Sequence, residues 1–283
     1  MATIRDVLPP LYAQLLPELF DRPAPAETRA TCSNCAMCPP PGASADGPVA
    51  YFRPDTKCCT FHPSLPSYLV GALLADPDPA LDEGRARVRR AIAGRRGVLP
   101  RFLEAPKRYR LLLRASREAS FGRSVVLRCP YYEPDGGQCT IWRHREADCS
   151  TFFCKYDAGA DGQTFWRALD GWLRTLERAL ASHALSVVAP ELPRDDEDPD
   201  TLTLEELEER APDPVTYARL WGAWEGREEA FYLRCHEVIA SLDAADVRRL
   251  GGDALAEIGA RLAVAHDAAS ATALPPRLVL SPR

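Results

Sequence analysis

Nine of the ten cysteines in this chain fall into two short blocks, and any fold open to it must accommodate both sets of thiols. The first block reads Cys32-Ser33-Asn34-Cys35-Ala36-Met37-Cys38 and reaches Cys58-Cys59 after a proline- and glycine-rich stretch. The second opens on Cys129-Pro130-Tyr131-Tyr132, comes to Cys139 after Pro134-Asp135-Gly136-Gly137, and ends on Cys149 and Cys154. A thiol that only fills a core can occupy any apolar position. Here the intervals of two, four and nine intervening residues suit several thiolates converging on one small inorganic centre.

A chain of 283 residues can bury a substantial core without covalent cross-links. Its net charge of −5 points to no polyanionic partner. The N-terminal stretch lacks a basic segment followed by a continuous apolar run, so it makes a poor secretory signal. No stretch approaches the roughly 20 apolar residues that span a bilayer. The expected compartment is the cytoplasm, where thiols stay reduced and clustered cysteines serve as metal ligands or redox groups more often than as structural disulfides. Adjacent Cys58 and Cys59 are poorly placed to bond each other, which also weighs against a disulfide framework.

The expected class is mainly α, with small β-hairpin and irregular cysteine-rich metal-binding segments. Residues 1–189 read as a cysteine-cluster domain with helices inserted at 67–128. An acidic linker follows at 190–213, a helical segment at 214–271 and a loose tail at 272–283. At the start, Val7, Leu8, Leu11, Leu15, Leu16 and Leu19 make an amphipathic pattern that Pro9, Pro10 and Pro17 keep short. Residues 32–66 are rich in proline and glycine and read as irregular loop, for which a metal would supply an anchor. Helices are expected near 81–93, with Val88, Ala91 and Ile92 on one face, and around Tyr109, Leu112 and Leu113. Pro134-Asp135-Gly136-Gly137 signals a hairpin turn. Gln163 to Leu185 carries Phe165, Leu169, Trp172, Leu173, Leu176 and Leu180 at helical spacing, and two more helices are expected at 214–241 and 243–269.

Thiolates two residues apart can bind one centre because the intervening turn points both sulfurs inward. Cys32, Cys35 and Cys38 make a run of three, closer to a ferredoxin-like pattern than to the paired pairs of a zinc finger. The fourth ligand can come from Cys58, Cys59 or the second block. Cys129, Cys139, Cys149 and Cys154 can close a four-thiolate site alone, or the blocks can pool ligands. Zinc and iron both accept such surroundings.

The second block, from Cys129-Pro130-Tyr131-Tyr132 through Gly137-Gln138-Cys139-Thr140-Ile141-Trp142 to Cys149 and Cys154, resembles the YkgJ-type cysteine-cluster family of zinc- or iron-chelating domains. The resemblance implies that Cys129, Cys139, Cys149 and Cys154 chelate, with Ile141-Trp142 where the family has Ile-Tyr. Cys32 and Cys35 match the opening of the family's N-terminal half. Two departures stand out. Cys58-Cys59 lies about twenty residues beyond Cys38, and Arg145-Glu146 replaces an Arg-Pro pair. The likeness covers about a third of the chain. It extends more distantly to flagellin lysine N-methylases, which implies an alternative iron–sulfur-dependent, protein-modifying enzyme. That reading expects a cleft or open coordination position beside the cluster and binding of S-adenosylmethionine.

The leading expectation is a metal-binding protein holding an iron–sulfur cluster, [4Fe-4S] being favoured, or zinc. Its ligands come from Cys32, Cys35, Cys38, Cys58, Cys59, Cys129, Cys139, Cys149 and Cys154. His62, in a loop before proline, reads as a surface residue sooner than a mixed ligand, and His144 as exposed or orienting a sulfur through its N–H. Cys235 and His236 diverge by about 100° on a helix, so Cys235 reads as a small buried hydrophobe. Between Gly84 and Arg128 stand thirteen arginines and Lys107 against Glu104 and Glu118. The excess suggests a nucleic-acid or partner interaction module, but neutralisation by the acidic 191–213 stretch explains it more simply. Trp221, Trp224, Tyr217 and Phe231 read as core or interface aromatics. No phosphate-binding glycine loop, nucleophile elbow or His-Glu-x2-His helix occurs.

Overall fold

The computed structural model describes residues 3–24, 35, 37–40, 42, 50–154, 156–193 and 201–272. Cys32, the acidic run at 195–198 and the tail from 273 lie outside the described residues.

The architecture is mainly helical, with two small antiparallel two-stranded sheets. In chain order the elements are β1 (Leu65–Pro66), α1 (Ser67–Ala75), α2 (Asp82–Gly94), β2 (Phe102–Leu103), α3 (Lys107–Ser120), β3 (Tyr132–Glu133), β4 (Gln138–Cys139), α4 (Ala147–Thr151), α5 (Gly159–Val188), α6 (Leu204–Leu207), α7 (Pro214–Trp221), α8 (Glu228–Ala240) and α9 (Ala244–Thr272). The proline-punctuated start forms three short 3-10 turns, which drop Tyr12, Leu15, Leu16 and Phe20 into the core.

The centre of the molecule is α5, whose apolar stripe Phe165, Leu169, Trp172, Leu173, Leu176 and Leu180 is buried as its spacing predicts. Helix α9 covers α5 along its length, while α8 covers α1. Phe20 from the N-terminal turns stacks on Trp172 at 4.6 Å. Inside the core, Tyr12 donates to the Glu177 carboxyl at 3.0 Å and its hydroxyl lies 3.0 Å from that of Tyr68. Burial pushes the Glu177 carboxyl well above the usual range.

α1 and α8 approach closely because Gly71 stands between them. A Cβ at that position would lie 2.0 Å from the Tyr232 carbonyl oxygen and 2.7 Å from His236 Cβ. On α8, Tyr232 and Phe231 pack edge-to-face on Trp221 of α7, so these aromatics belong to the core. Cys235 is fully buried beside them, as expected of a small hydrophobe.

Three helix expectations need correction. The span 214–241 is not one helix: α7 stops at Trp221, a 3-10 turn runs over Gly222–Trp224, and α8 restarts at Glu228. Helix α9 breaks at Gly252, whose φ of 56° and ψ of −156° suit glycine. Leu112, expected to share a face with Tyr109 and Leu113, is exposed while those two are half-buried.

Candidate metal centre

The cysteine segments are held to the helical body mainly by backbone hydrogen bonds and a few long side chains. The β1–β2 pair sets Leu65 opposite Leu103, fixing the end of the first block. Arg53 N–H donates to the Gly122 carbonyl at 2.8 Å, and Gly122 N–H donates to Thr60 Oγ1 at 2.7 Å. The blocks then meet directly: Cys129 N–H donates to the Cys59 carbonyl at 2.8 Å. Above that junction the Tyr109 hydroxyl reaches the carbonyls of Thr60 (2.5 Å) and Leu127 (2.9 Å), one from each flank. Within the second block, the expected hairpin forms, Tyr132 pairing with Cys139. Arg87 of α2 clamps it by donating to the carbonyls of Pro130 and Tyr132, both at 2.8 Å, and to Glu133 at 2.6 Å.

An inner group of thiols gathers at this junction. Cys129 is buried, and the Tyr132 N–H donates to its carbonyl at 3.1 Å. Burial drives its thiol far above the usual range, Cys139 adds to that rise, and the backbone of Tyr131 and Tyr132 opposes it. Cys149 is likewise pushed well up, by burial, by the Glu146 carboxylate and by Cys129 and Cys139. Cys59 joins from the first block: with Cys129 and Cys149 it lies close enough to raise the Tyr109 phenol, after burial as the main cause. Cys129 and Cys149 are therefore disfavoured as lone anions.

A second group lies further out. Cys38 N–H donates to the Cys35 carbonyl at 3.0 Å. Cys154 sits near Cys38. Burial first, then Cys35, push the Cys38 thiol up to about 11, while Lys57 pulls it down. Lys57 is buried, held by its N–H to the Arg53 carbonyl at 2.8 Å in a left-handed conformation (φ 49°). Its ammonium donates to the Gly137 carbonyl at 3.4 Å and lies 5.9 Å from the Tyr132 ring centroid. Cys58, between Lys57 and Cys59, is half-buried. Cys32 lies outside the described residues. The described cysteines are all free thiols, and among the described residues no three Cys, His, Asp or Glu donors converge closely enough to hold a single ion.

The histidines fill other places. His62 is wedged edge-on between the Tyr109 and Tyr131 rings, at 5.5 and 5.8 Å, and burial lowers it to about 3, leaving it neutral. His144 is buried where exposure was expected, and its Nε2 pairs with Asp76 at 2.9 Å instead of a sulfur.

Residues missed in the sequence carry much of the support. Glu146 caps α4 by accepting the N–H of Asp148 and, at 3.1 Å, that of Cys149. Burial raises its carboxyl to about 7, with Asp148 contributing. The signal was present as a carboxylate three residues before a cysteine, the spacing of a helix cap. Arg145 stacks 3.4 Å over the exposed Trp142 ring and donates to the Cys149 carbonyl at 2.8 Å. A cleft of about 140 Å³ lined by Glu104, Glu146, Asp148, Arg174 and Glu177 adjoins α4. Small-molecule sites usually begin near ~300 Å³.

The arginine-rich stretch is largely spent inside the fold. Arg87 and Arg90 pair with Glu83, Arg89 with Glu229, Arg95 with Glu225 and Arg110 with Glu104. The acidic stretch contributes Glu209 to Arg108 and Glu206 to Lys107. Among the described residues no helix is long and apolar enough to cross a membrane. Comparisons with protein-family models, curated proteins and solved structures found no match.

Proposed function

We propose that this chain is a cytoplasmic metal-binding protein of the YkgJ type, holding an iron–sulfur cluster or zinc through clustered cysteine thiolates. The observation that carries the reading is the direct meeting of the two blocks, where the Cys129 N–H donates to the Cys59 carbonyl at 2.8 Å and the hairpin and α4 present Cys139 and Cys149 in the same second block. The donor chemistry fits such a centre. Soft thiols from both blocks meet there, and burial penalises the Cys129 and Cys149 thiolates until a cation compensates them. When bound, zinc would brace the fold, and a cluster would add one-electron chemistry.

The chain's own residues hold the ligands in place. Glu146 and Arg145 fix the turn that presents Cys149, Tyr109 locks the flanks of the two blocks together, and His62 stays neutral in the wall. Ligation requires each thiol to release a proton and the sulfurs to close on the metal. That step supplies folding free energy to the irregular segments, roughly 10 kcal/mol or more in small zinc modules. The internal pairing of the arginines supports a reading without nucleic acid.

Purification without oxygen, an absorption spectrum, and assays for iron, zinc and acid-labile sulfide test the proposal. A brown protein with iron and sulfide supports the cluster, and a colourless one with stoichiometric zinc supports zinc. Absence of both metals, with the thiols oxidised in pairs, refutes it.

A further inference from the structure

Between the end of α3 and Cys129 the chain turns apolar side chains outward. The 3-10 turn Val125–Leu127 buries Leu127 but leaves Val125 42% and Val126 78% exposed. Beside it, Phe152 is 46% exposed and packs edge-on at 5.8 Å against Phe121, the residue that ends α3 just before the turn. We propose that this face docks the chain on an anionic lipid surface, with Val125, Val126 and Phe152 entering the headgroup–acyl boundary and arginines meeting the lipid phosphates. The inference does not rest on the metal-binding reading and adds a second kind of partner to it.

Charge selects an anionic surface. From Arg117 to Arg128 the chain carries three arginines, Arg117, Arg123 and Arg128, against one acid, Glu118. Arg87, Arg89 and Arg90 of α2 hold carboxylates, but none of these three has one within ion-pair distance among the described residues. Arg123 is fixed by the carbonyls of Ala50 (3.0 Å) and Glu118 (3.3 Å) and supplies charge, while Arg117 and Arg128 are exposed. Asp55, on the segment that Arg53 N–H ties to Gly122, is already held by the Arg53 guanidinium at 2.8 and 2.9 Å. Guanidinium groups suit phosphate, and basic side chains beside an apolar tip are drawn to anionic headgroups.

Shape favours lipid over a protein partner. A side chain that lines a groove is partly covered by its walls, so the exposure of Val126 puts it on a convex tip. Valine is under-represented among the side chains that anchor protein interfaces, whereas binding in a membrane interface scales with the apolar area immersed and the attraction to anionic lipid. The turn also stands without a partner. Ser124 N–H donates to the Ser120 carbonyl at 3.0 Å, Leu127 N–H donates to the Ser124 carbonyl at 3.2 Å, and the Leu127 carbonyl accepts the Tyr109 hydroxyl at 2.9 Å. Docking therefore spends little on ordering the backbone.

The test is flotation of the full chain with vesicles of phosphatidylcholine, alone or mixed with phosphatidylglycerol. The expected result is binding to the mixed vesicles only, falling as salt screens the arginines. Val126→Asp lowers the partition coefficient about tenfold and Val126→Trp raises it, because the interface repels a carboxylate and favours an indole. Arg117→Glu/Arg128→Glu weakens binding as well, and Arg117→Lys/Arg128→Lys retains it. If the unaltered chain floats with neither vesicle at low salt, the proposal is overturned and the turn is left to a protein partner. Equal flotation of the unaltered chain and a folded Val126→Asp protein overturns it too, since lipid would then bind another face. Should Val126→Asp misfold, failure of Val126→Trp to bind more tightly has the same force. Neither negative result touches the metal-binding reading, which metal and sulfide assays decide.

Discussion

Replacing Gly71 by alanine puts a methyl group where α1 and α8 leave no room. The new Cβ would sit 2.0 Å from the Tyr232 carbonyl oxygen, well over 1 Å inside contact distance, and the obstacle is backbone on a packed helix. Relief requires α8 to move away from α1, and α8 carries Phe231 and Tyr232, both fully buried against Trp221. Overpacking of this kind costs up to ~3 kcal/mol, or more when backbone must shift. Alanine returns about 1 kcal/mol through its helix propensity, leaving a net loss of about 2 kcal/mol or more. For a chain of this size that lowers the melting temperature by about 4–8 °C. Gly171 on α5 is the control, since a Cβ there meets nothing within 4 Å. Gly171→Ala should gain up to about 1 kcal/mol. Urea unfolding of both variants measures the contrast. Equal stability of Gly71→Ala and Gly171→Ala would refute the close α1–α8 approach.

Three further outcomes are expected. His62, held down to about 3 by burial, has a depressed folded-state value, so its contribution is present above about pH 6.5 and is lost as pH falls toward 3. Allowing for its partial exposure, that contribution is ~2–3 kcal/mol, and His62→Gln should flatten the acid limb of the urea midpoint against pH; parallel curves for the two proteins would contradict it. Glu177→Gln keeps an acceptor for the Tyr12 hydroxyl and should cost under ~1 kcal/mol, whereas Glu177→Leu removes that buried acceptor and should cost ~1–3 kcal/mol. Tyr109→Phe removes the hydroxyl that joins the two blocks; a loss of ~1–2 kcal/mol is expected in thermal unfolding, together with faster metal release to a chelator.

Local pattern made part of this molecule legible. The α5 stripe follows from three- and four-residue spacing, and the hairpin from Pro134 to Gly137, because both signals lie within a few residues of the structure they specify. The break at Gly252 was also local, but a glycine in an otherwise helical pattern does not declare whether it bends the chain. Partner choice among the thiols was not legible. Spacing places Cys154 with Cys149, yet the short α4 ends at Thr151, so the two do not share one helix. Lys57 was hidden for a related reason: a lysine beside two cysteines reads as surface until the fold closes over it.

The covering of α1 by α8 and of α5 by α9 sets a timetable for the growing chain. Every clustered cysteine has been synthesised once Cys154 leaves the ribosome, while the two helices that cover the core are still to be made. For that interval the ligand segments rest on helices with open apolar faces. Metal delivered then meets accessible thiols and can anchor the irregular segments before α8 and α9 seal the body. Expression under metal limitation, followed by late addition, should therefore yield a lower loaded fraction than continuous supply.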